Sequence, residues 1–114
     1  MRLQEEKVGE VLLLKALEKR MDASVAEGFK AKLTELINSG NRLIVLDLTS
    51  VAFIDSSGLG AIVSTLKKVG PDGDLAICGL QDSVLSLFKL TRMDRVFRVF
   101  PNSKEALAAL SARG

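Results

Sequence analysis

At 114 residues, with 47% hydrophobic side chains, the chain is long enough to bury one core, and we expect a single domain over residues 1–114. It contains no histidine, which excludes Ser-His-Asp and Cys-His catalysis and most zinc sites; carboxylate or lysine chemistry stays open, but we expect a protein that is not an enzyme. A net charge of +2 with scattered basic residues, and the absence of Trp and Tyr, supply no basic surface and few stacking groups for direct nucleic-acid binding.

The first third of the chain predicts a hairpin and a helix. The apolar run over 11–16 is typical of a strand, and residues 2–7 can pair with it through a turn at Gly9. A helix is then predicted by apolar residues that recur on one face, namely Val25, Phe29, Leu33, Leu36 and Ile37. Asp22, with Ser24 close by, is the predicted N-cap, and Gly40 is the predicted C-cap.

The rest of the chain continues the alternation of strands and helices. The run over 43–48 predicts a strand covered on both faces, as in a parallel sheet. Further strands are predicted over 75–78 and 96–100. Three further helices are predicted: one over 59–68, one that begins near residue 82 and one that begins at residue 102. The predicted fold is α/β, with a mostly parallel four- to five-stranded sheet, an N-terminal hairpin and about four helices.

A candidate functional site follows the second core strand. Asp55-Ser56-Ser57-Gly58-Leu59-Gly60 places a carboxylate and two hydroxyls at the start of a helix. One serine can cap the helix, and Gly58 and Gly60 can permit close packing against the sheet. The other hydroxyl would then be exposed at a helix N-terminus, where backbone N–H groups and the helix dipole tolerate a phosphate.

Other chemistries fit this segment less well. It lacks the third glycine of a dinucleotide loop and the Gly-Lys-Ser/Thr ending of a phosphate-binding loop, and no histidine could activate a serine. Asp47 and Asp55 could be an acid/base or metal pair, but too few ligands converge in sequence, and we expect no metal site.

The location expected for the chain is the cytoplasm. No apolar run reaches the length of a membrane span, and the N-terminal residues 1–6 are too polar for a secretory signal. The single cysteine, Cys78, lies in an apolar run and is expected to be a core residue.

The segments 45–48 and 51–60 resemble the signature of STAS domains, and most closely that of bacterial anti-sigma factor antagonists of the SpoIIAA and RsbV type. The resemblance continues through 73–80 and 84–97 and reaches 103–107. It implies a partner switch in which the unphosphorylated antagonist binds a serine kinase that is also an anti-sigma factor. The kinase, with its own ATP and Mg²⁺, phosphorylates the serine after the aspartate, and a PP2C-type phosphatase removes the phosphate.

By position, the resemblance assigns the phosphate to Ser56. It also implies a partner-binding surface around this serine, made of Asp22, Ser24, Ile54, Asp55, Ser57, Gly58, Leu59, Gly60 and Ile62. We expect Ser57 to cap the helix, and we expect Ile54 and Leu59 to offer the partner an apolar contact. We expect no cofactor and no membrane contact.

One departure from the family pattern concerns partner choice. The turn before Asp22 reads Glu18-Lys19-Arg20-Met21, where the family usually has a glycine. The alternative function is a STAS interaction module without a phosphoswitch, such as a subunit of a transport complex or a scaffold.

Overall fold

A five-stranded sheet in the order β1-β2-β4-β6-β7 forms the centre of the molecule, which a computed structural model describes over residues 2–113. β1 is antiparallel to β2, and the remaining pairs are parallel. The strands are β1 (Leu3–Val8), β2 (Val11–Ala16), β3 (Arg20–Met21), β4 (Leu43–Asp47), β5 (Phe53–Ile54), β6 (Asp74–Cys78) and β7 (Arg98–Phe100). The helices are α1 (Ala23–Asn38), α2 (Ser56–Val69), α3 (Asp82–Leu90) and α4 (Ser103–Arg113), with a 3₁₀ helix over Met93–Arg95. The predicted α/β fold with its N-terminal hairpin is confirmed.

Helices cover both faces of the sheet because successive strand residues point to opposite sides. On one face Ile44, Leu46 and Ile77 pack with buried residues of α1, α2 and α3. On the other face Val45 and Cys78 pack with buried residues of α4. Consequently β4 is buried on both faces, as its apolar run predicts.

Cys78 is fully buried in the smaller core, as expected. Burial, with a smaller contribution from the Asp47 carboxylate, raises the pKa of its thiol to about 12. The thiol is therefore protonated and unreactive in the folded protein.

Two predicted boundaries are wrong by one or two residues. The C-cap of α1 is Ser39, and Gly40 follows it with φ +103°. Gly40 N–H donates to the Ile37 carbonyl and Asn41 N–H to the Leu36 carbonyl, which is the Schellman pattern. Glycine is favoured there because the left-handed conformation is strained for residues with a Cβ.

The last strand begins at Arg98 rather than at residue 96. The N–H groups of Val96 and Phe97 both donate to the Met93 carbonyl, which forms a tight turn before the strand. This turn brings the Phe97 ring to 6.1 Å from the Phe88 ring, centroid to centroid. An apolar run therefore resembled a strand although Phe97 fills the core from a turn and Val96 is exposed.

Candidate functional site

A two-stranded parallel sheet, which the sequence did not predict, positions the candidate site. β3 pairs with β5 so that Arg20 lies opposite Phe53 and Met21 opposite Ile54. Asp55 N–H also donates to the Met21 carbonyl at 3.2 Å. Because each strand is followed at once by an aspartate and a helix, the N-termini of α1 and α2 lie side by side.

Asp55 caps α2, and the prediction that a serine does so, specifically Ser57, is wrong. Asp55 directly follows β5, which pairs with β3, and its backbone is extended. The Asp55 carboxylate accepts a hydrogen bond from Gly58 N–H at 3.0 Å. Ser56 and Ser57 occupy the first two helical positions instead. The carboxylate thus satisfies the helix end, and neither hydroxyl is required for capping.

The Ser56 side chain is exposed at the first position of α2. Its hydroxyl has no hydrogen-bond partner among residues 2–113, and the same holds for the exposed Ser57. Both serines line an open groove between α1 and α2, together with Lys30 and Glu27 of α1. The site therefore presents two accessible hydroxyls beside a helix N-terminus.

Gly58 and Gly60 have different roles. A Cβ at Gly58 would collide with the Met21 carbonyl oxygen, so this glycine permits the close approach of α2 to β3. A Cβ at Gly60 would meet nothing within 4 Å, and the prediction that Gly60 allows close packing is wrong. Gly60 is exposed and lines the groove.

Asp22 caps α1, as predicted. Its carboxylate accepts hydrogen bonds from the Ser24 backbone N–H and from the Ser24 hydroxyl, and it lies 3.4 Å from Arg20 Nε. The Ser24 hydroxyl is the main cause that lowers the pKa of Asp22, with further contributions from the Ser24 N–H and from Arg20, against a smaller opposing effect of burial. Asp22 therefore stays ionised, and a second carboxylate stands at this edge beside Asp55.

Sequence reasoning missed the pair formed by Arg20 and Phe53. The Arg20 guanidinium lies over the Phe53 ring, 4.2 Å from its centroid, and the Phe53 side chain is 41% exposed. An exposed aromatic next to the Asp55 motif was the available signal. Its partner could not be found because the contact depends on the pairing of β3 with β5.

Three of the predicted partner-binding residues are corrected to packing roles. Ile54 and Ile62 are buried in the main core, and Gly58 is buried against β3. They have no surface to offer a partner in this conformation. Leu59 is half-buried and packs against the main core, so it retains some exposed surface. Asp22 and Asp55 are half-buried, while Ser24, Ser57 and Gly60 are exposed.

Within residues 2–113 no three Asp, Glu or Cys side chains gather as metal ligands would. No helix described there is long and apolar enough to cross a membrane.

Comparisons with known proteins identify the family. The STAS domain family matches residues 3–106. A relative in Bordetella bronchiseptica, the candidate anti-sigma factor antagonist BtrV, is 31% identical over 99 residues, which cover 86% of this chain and 84% of the relative.

Two solved structures show the same architecture. A candidate anti-sigma factor antagonist of Thermotoga maritima superposes with a TM-score of 0.88 at 27% identity, covering 96% of this chain and 94% of the other. The phosphorylated form of SpoIIAA from Bacillus gives a TM-score of 0.72 at 19% identity, over 95% and 98% of the two chains, which is a likeness of fold alone. The chain belongs to the STAS domain family, and its relatives are named as anti-sigma factor antagonists.

Proposed function

We propose that this chain is an anti-sigma factor antagonist controlled by phosphorylation of Ser56. Its unphosphorylated form binds a serine kinase that is also an anti-sigma factor, and the phosphorylated form is released. The observation that carries the proposal is the exposed Ser56 hydroxyl, which has no partner among residues 2–113 because Asp55 provides the helix cap. The proposal gives the chain no reaction of its own, since ATP and Mg²⁺ belong to the kinase.

A phosphate on Ser56 would be compatible with the fold. It would add about −1.5 to −2 charges at the first position of α2, where free N–H groups and the helix dipole favour an anion. No core contact would be lost, because Ser56 is exposed. The modification would therefore change the surface and leave the core intact.

The same phosphate would oppose a complex formed through this surface. Asp55 immediately precedes it, and Asp22 lies at the same edge of the small sheet, so the phosphate would add to two existing carboxylates. Burying this charge against a partner is costly unless the partner supplies cations. A penalty of about 3 kcal/mol would weaken the complex by more than about 100-fold.

The proposal extends to the rest of the cycle. A PP2C-type phosphatase would remove the phosphate and return the chain to its binding form. We place the cycle in the cytoplasm, where a kinase has access to ATP. Membership of the family and the accessible hydroxyl support these proposals.

The site is tested by incubating the chain with the serine kinase that co-purifies with it and with ATP, followed by mass spectrometry. Wild type and Ser57→Ala should gain one phosphate, and Ser56→Ala should gain none. Ser57→Ala is the matched control because it removes a neighbouring exposed hydroxyl from the same helix turn. A phosphate on Ser57 with Ser56 unmodified would refute the assignment.

The electrostatic mechanism is tested by calorimetry with the same kinase. Ser56→Ala should bind as the wild type does, whereas Ser56→Asp should bind more weakly. Equal affinities of the two variants would reject charge as the cause of release. Binding by a kinase that never phosphorylates the chain would favour the interaction module without a switch.

A further inference from the structure

Arg92 has an unusual backbone conformation. It lies in the left-handed region with φ +61° and ψ +22°, and no other residue except glycine has a positive φ within residues 2–113. It follows Thr91, the C-cap of α3, at the position where glycine usually ends a helix. A residue with a Cβ is strained there, so the Arg92 side chain comes at a cost in stability.

No polar contact of the Arg92 side chain within residues 2–113 offsets this loss of stability. It is exposed, and no side-chain hydrogen bond or ion pair joins it to another residue within 2–113. Near Arg92 in the chain lie two exposed apolar side chains, Leu90 at 83% and Val96 at 48%, and Leu90 is the most exposed large apolar side chain among residues 2–113. We call Lys89, Leu90, Arg92, Arg95 and Val96 the basic–apolar patch.

The basic–apolar patch lies near the amino ends of the sheet strands, at the opposite end from Ser56. α3 begins beside the loop after β4, where Ser83 Oγ donates to the Ala52 carbonyl, and it runs about 13 Å toward the amino ends of the strands. After the 3₁₀ helix the chain enters β7 at Arg98, whose guanidinium lies 2.9 Å from the carboxylate of Asp74, the first residue of β6. Ser56 follows the carboxyl ends instead.

Charge indicates what this patch can bind. Over 89–96, Lys89, Arg92 and Arg95 are opposed only by Asp94, a net charge of +2 that equals the net charge of the whole chain. We propose that the basic–apolar patch binds an acidic segment of a partner protein that also carries a leucine-like side chain. Arginine suits this role because its guanidinium binds a carboxylate through two hydrogen bonds.

Other anionic partners fit the patch less well. Polybasic membrane-binding segments usually carry four to eight Lys or Arg residues, more than the three of this patch. The patch contains no aromatic side chain on which nucleic-acid bases could stack. Because the patch lies near the amino ends of the strands and Ser56 follows the carboxyl ends, we expect the contact to be independent of phosphorylation, so it is a second surface that goes beyond the proposed switch.

Arg92→Gly tests whether the strained arginine is kept for recognition. Glycine relieves the left-handed strain, so the melting temperature should rise by about 3 °C. The same variant should bind an acidic peptide about ten-fold more weakly, because a charge-assisted contact is lost. A melting temperature that is unchanged or lower would show that Arg92 serves the fold and would overturn the proposal.

The binding measurement uses a short synthetic peptide that combines glutamates with leucines, titrated into the isotope-labelled full chain. Amide signals of 89–96 should shift saturably. Arg92→Lys should retain part of the affinity, and Lys104→Ala, which removes an exposed cation of α4, should leave it unchanged. Ser56→Asp should bind the peptide as the wild type does.

Several results would overturn the proposal. The first is the absence of a saturable shift with the peptide, and the second is a peptide affinity of Arg92→Gly equal to that of wild type. The others are weaker peptide binding by Ser56→Asp and binding of the patch to phosphatidylglycerol vesicles in place of the peptide. Because no kinase is present in these titrations, their failure is distinguishable from failure of the Ser56 switch.

Discussion

At the scale of single residues, the candidate site depends on two carboxylates that each cap the N-terminus of a helix. Asp22 and Asp55 each accept a backbone N–H at the start of a helix. An aspartate at this position satisfies the free N–H groups and complements the helix dipole. Because Asp55 takes the capping role, the hydroxyl next to it is left exposed, and a structural need of the helix creates the accessible serine.

The lowered pKa of Asp22 predicts a pH-dependent stability. A carboxylate whose pKa is lower in the folded than in the unfolded state stabilises the fold fully above its ordinary value of 3.8. That contribution is lost as the pH falls through the folded value. Asp22→Asn keeps a capping oxygen but cannot titrate, so it should be less stable than wild type near neutral pH and approach it well below pH 3.8.

Urea unfolding of both proteins at the two pH values measures this difference. The physical cause is the loss of the bonds from Ser24 and Arg20 to the charged carboxylate. A stability difference that is the same at both pH values would contradict the assignment.

At the scale of elements, the contact of α2 with β3 holds the site together. This contact needs a residue without a Cβ at position 58, where the helix meets the Met21 carbonyl. If the helix is pushed away, the pairing of β3 with β5 and the cap at Asp55 are disturbed together. The site is therefore more sensitive to packing at Gly58 than to changes among its exposed residues.

The two glycines of α2 provide a matched test. Gly58→Ala should destabilise the protein by about 1–3 kcal/mol, because the added methyl collides with backbone that cannot move freely. Gly60→Ala should stabilise it by about 0.5–1 kcal/mol, because alanine favours an exposed helix and meets nothing there. Chemical denaturation measures both, and equal effects of the two substitutions would rule out the steric explanation.

At the scale of the whole molecule, the sheet separates the two surfaces for which we propose different roles. Ser56 lies at the carboxyl ends of the strands, and the basic–apolar patch lies near their amino ends. α4 packs on the face of the sheet opposite α1, α2 and α3. A phosphate on Ser56 would leave the packed core unchanged, so its effect would fall on partners that bind near the start of α2. If both proposals hold, one small domain is regulated at one surface and binds independently at another.

The second face depends on a single helix. Leu110 is fully buried in the smaller core, so Leu110→Ala should cost about 3 kcal/mol through lost burial and the cavity left behind. Leu107 is only partly buried against the same cluster, and Leu107→Ala should cost less. Thermal unfolding of the two variants checks the order, and a larger loss for Leu107→Ala would contradict the packing of α4.

The sequence by itself determined the strands of the main sheet, the four helices and the parallel core, and it pointed to the start of α2 as the candidate site. Apolar periodicity and turn residues are local signals, and the buried run of β4 is sufficient to indicate a sheet covered on both faces. The sequence also predicted an exposed serine hydroxyl at the start of this helix, and both Ser56 and Ser57 are exposed there, although the predicted serine cap is wrong.

Only the tertiary structure decided how the site is assembled. Whether Asp55 or a serine caps α2 depends on the pairing of β5 with β3, which joins residues far apart in the chain. That pairing also places Arg20 on Phe53, and packing against the core buries Ile54. Such features follow from contacts between distant residues, for which no short stretch of sequence carries a signal.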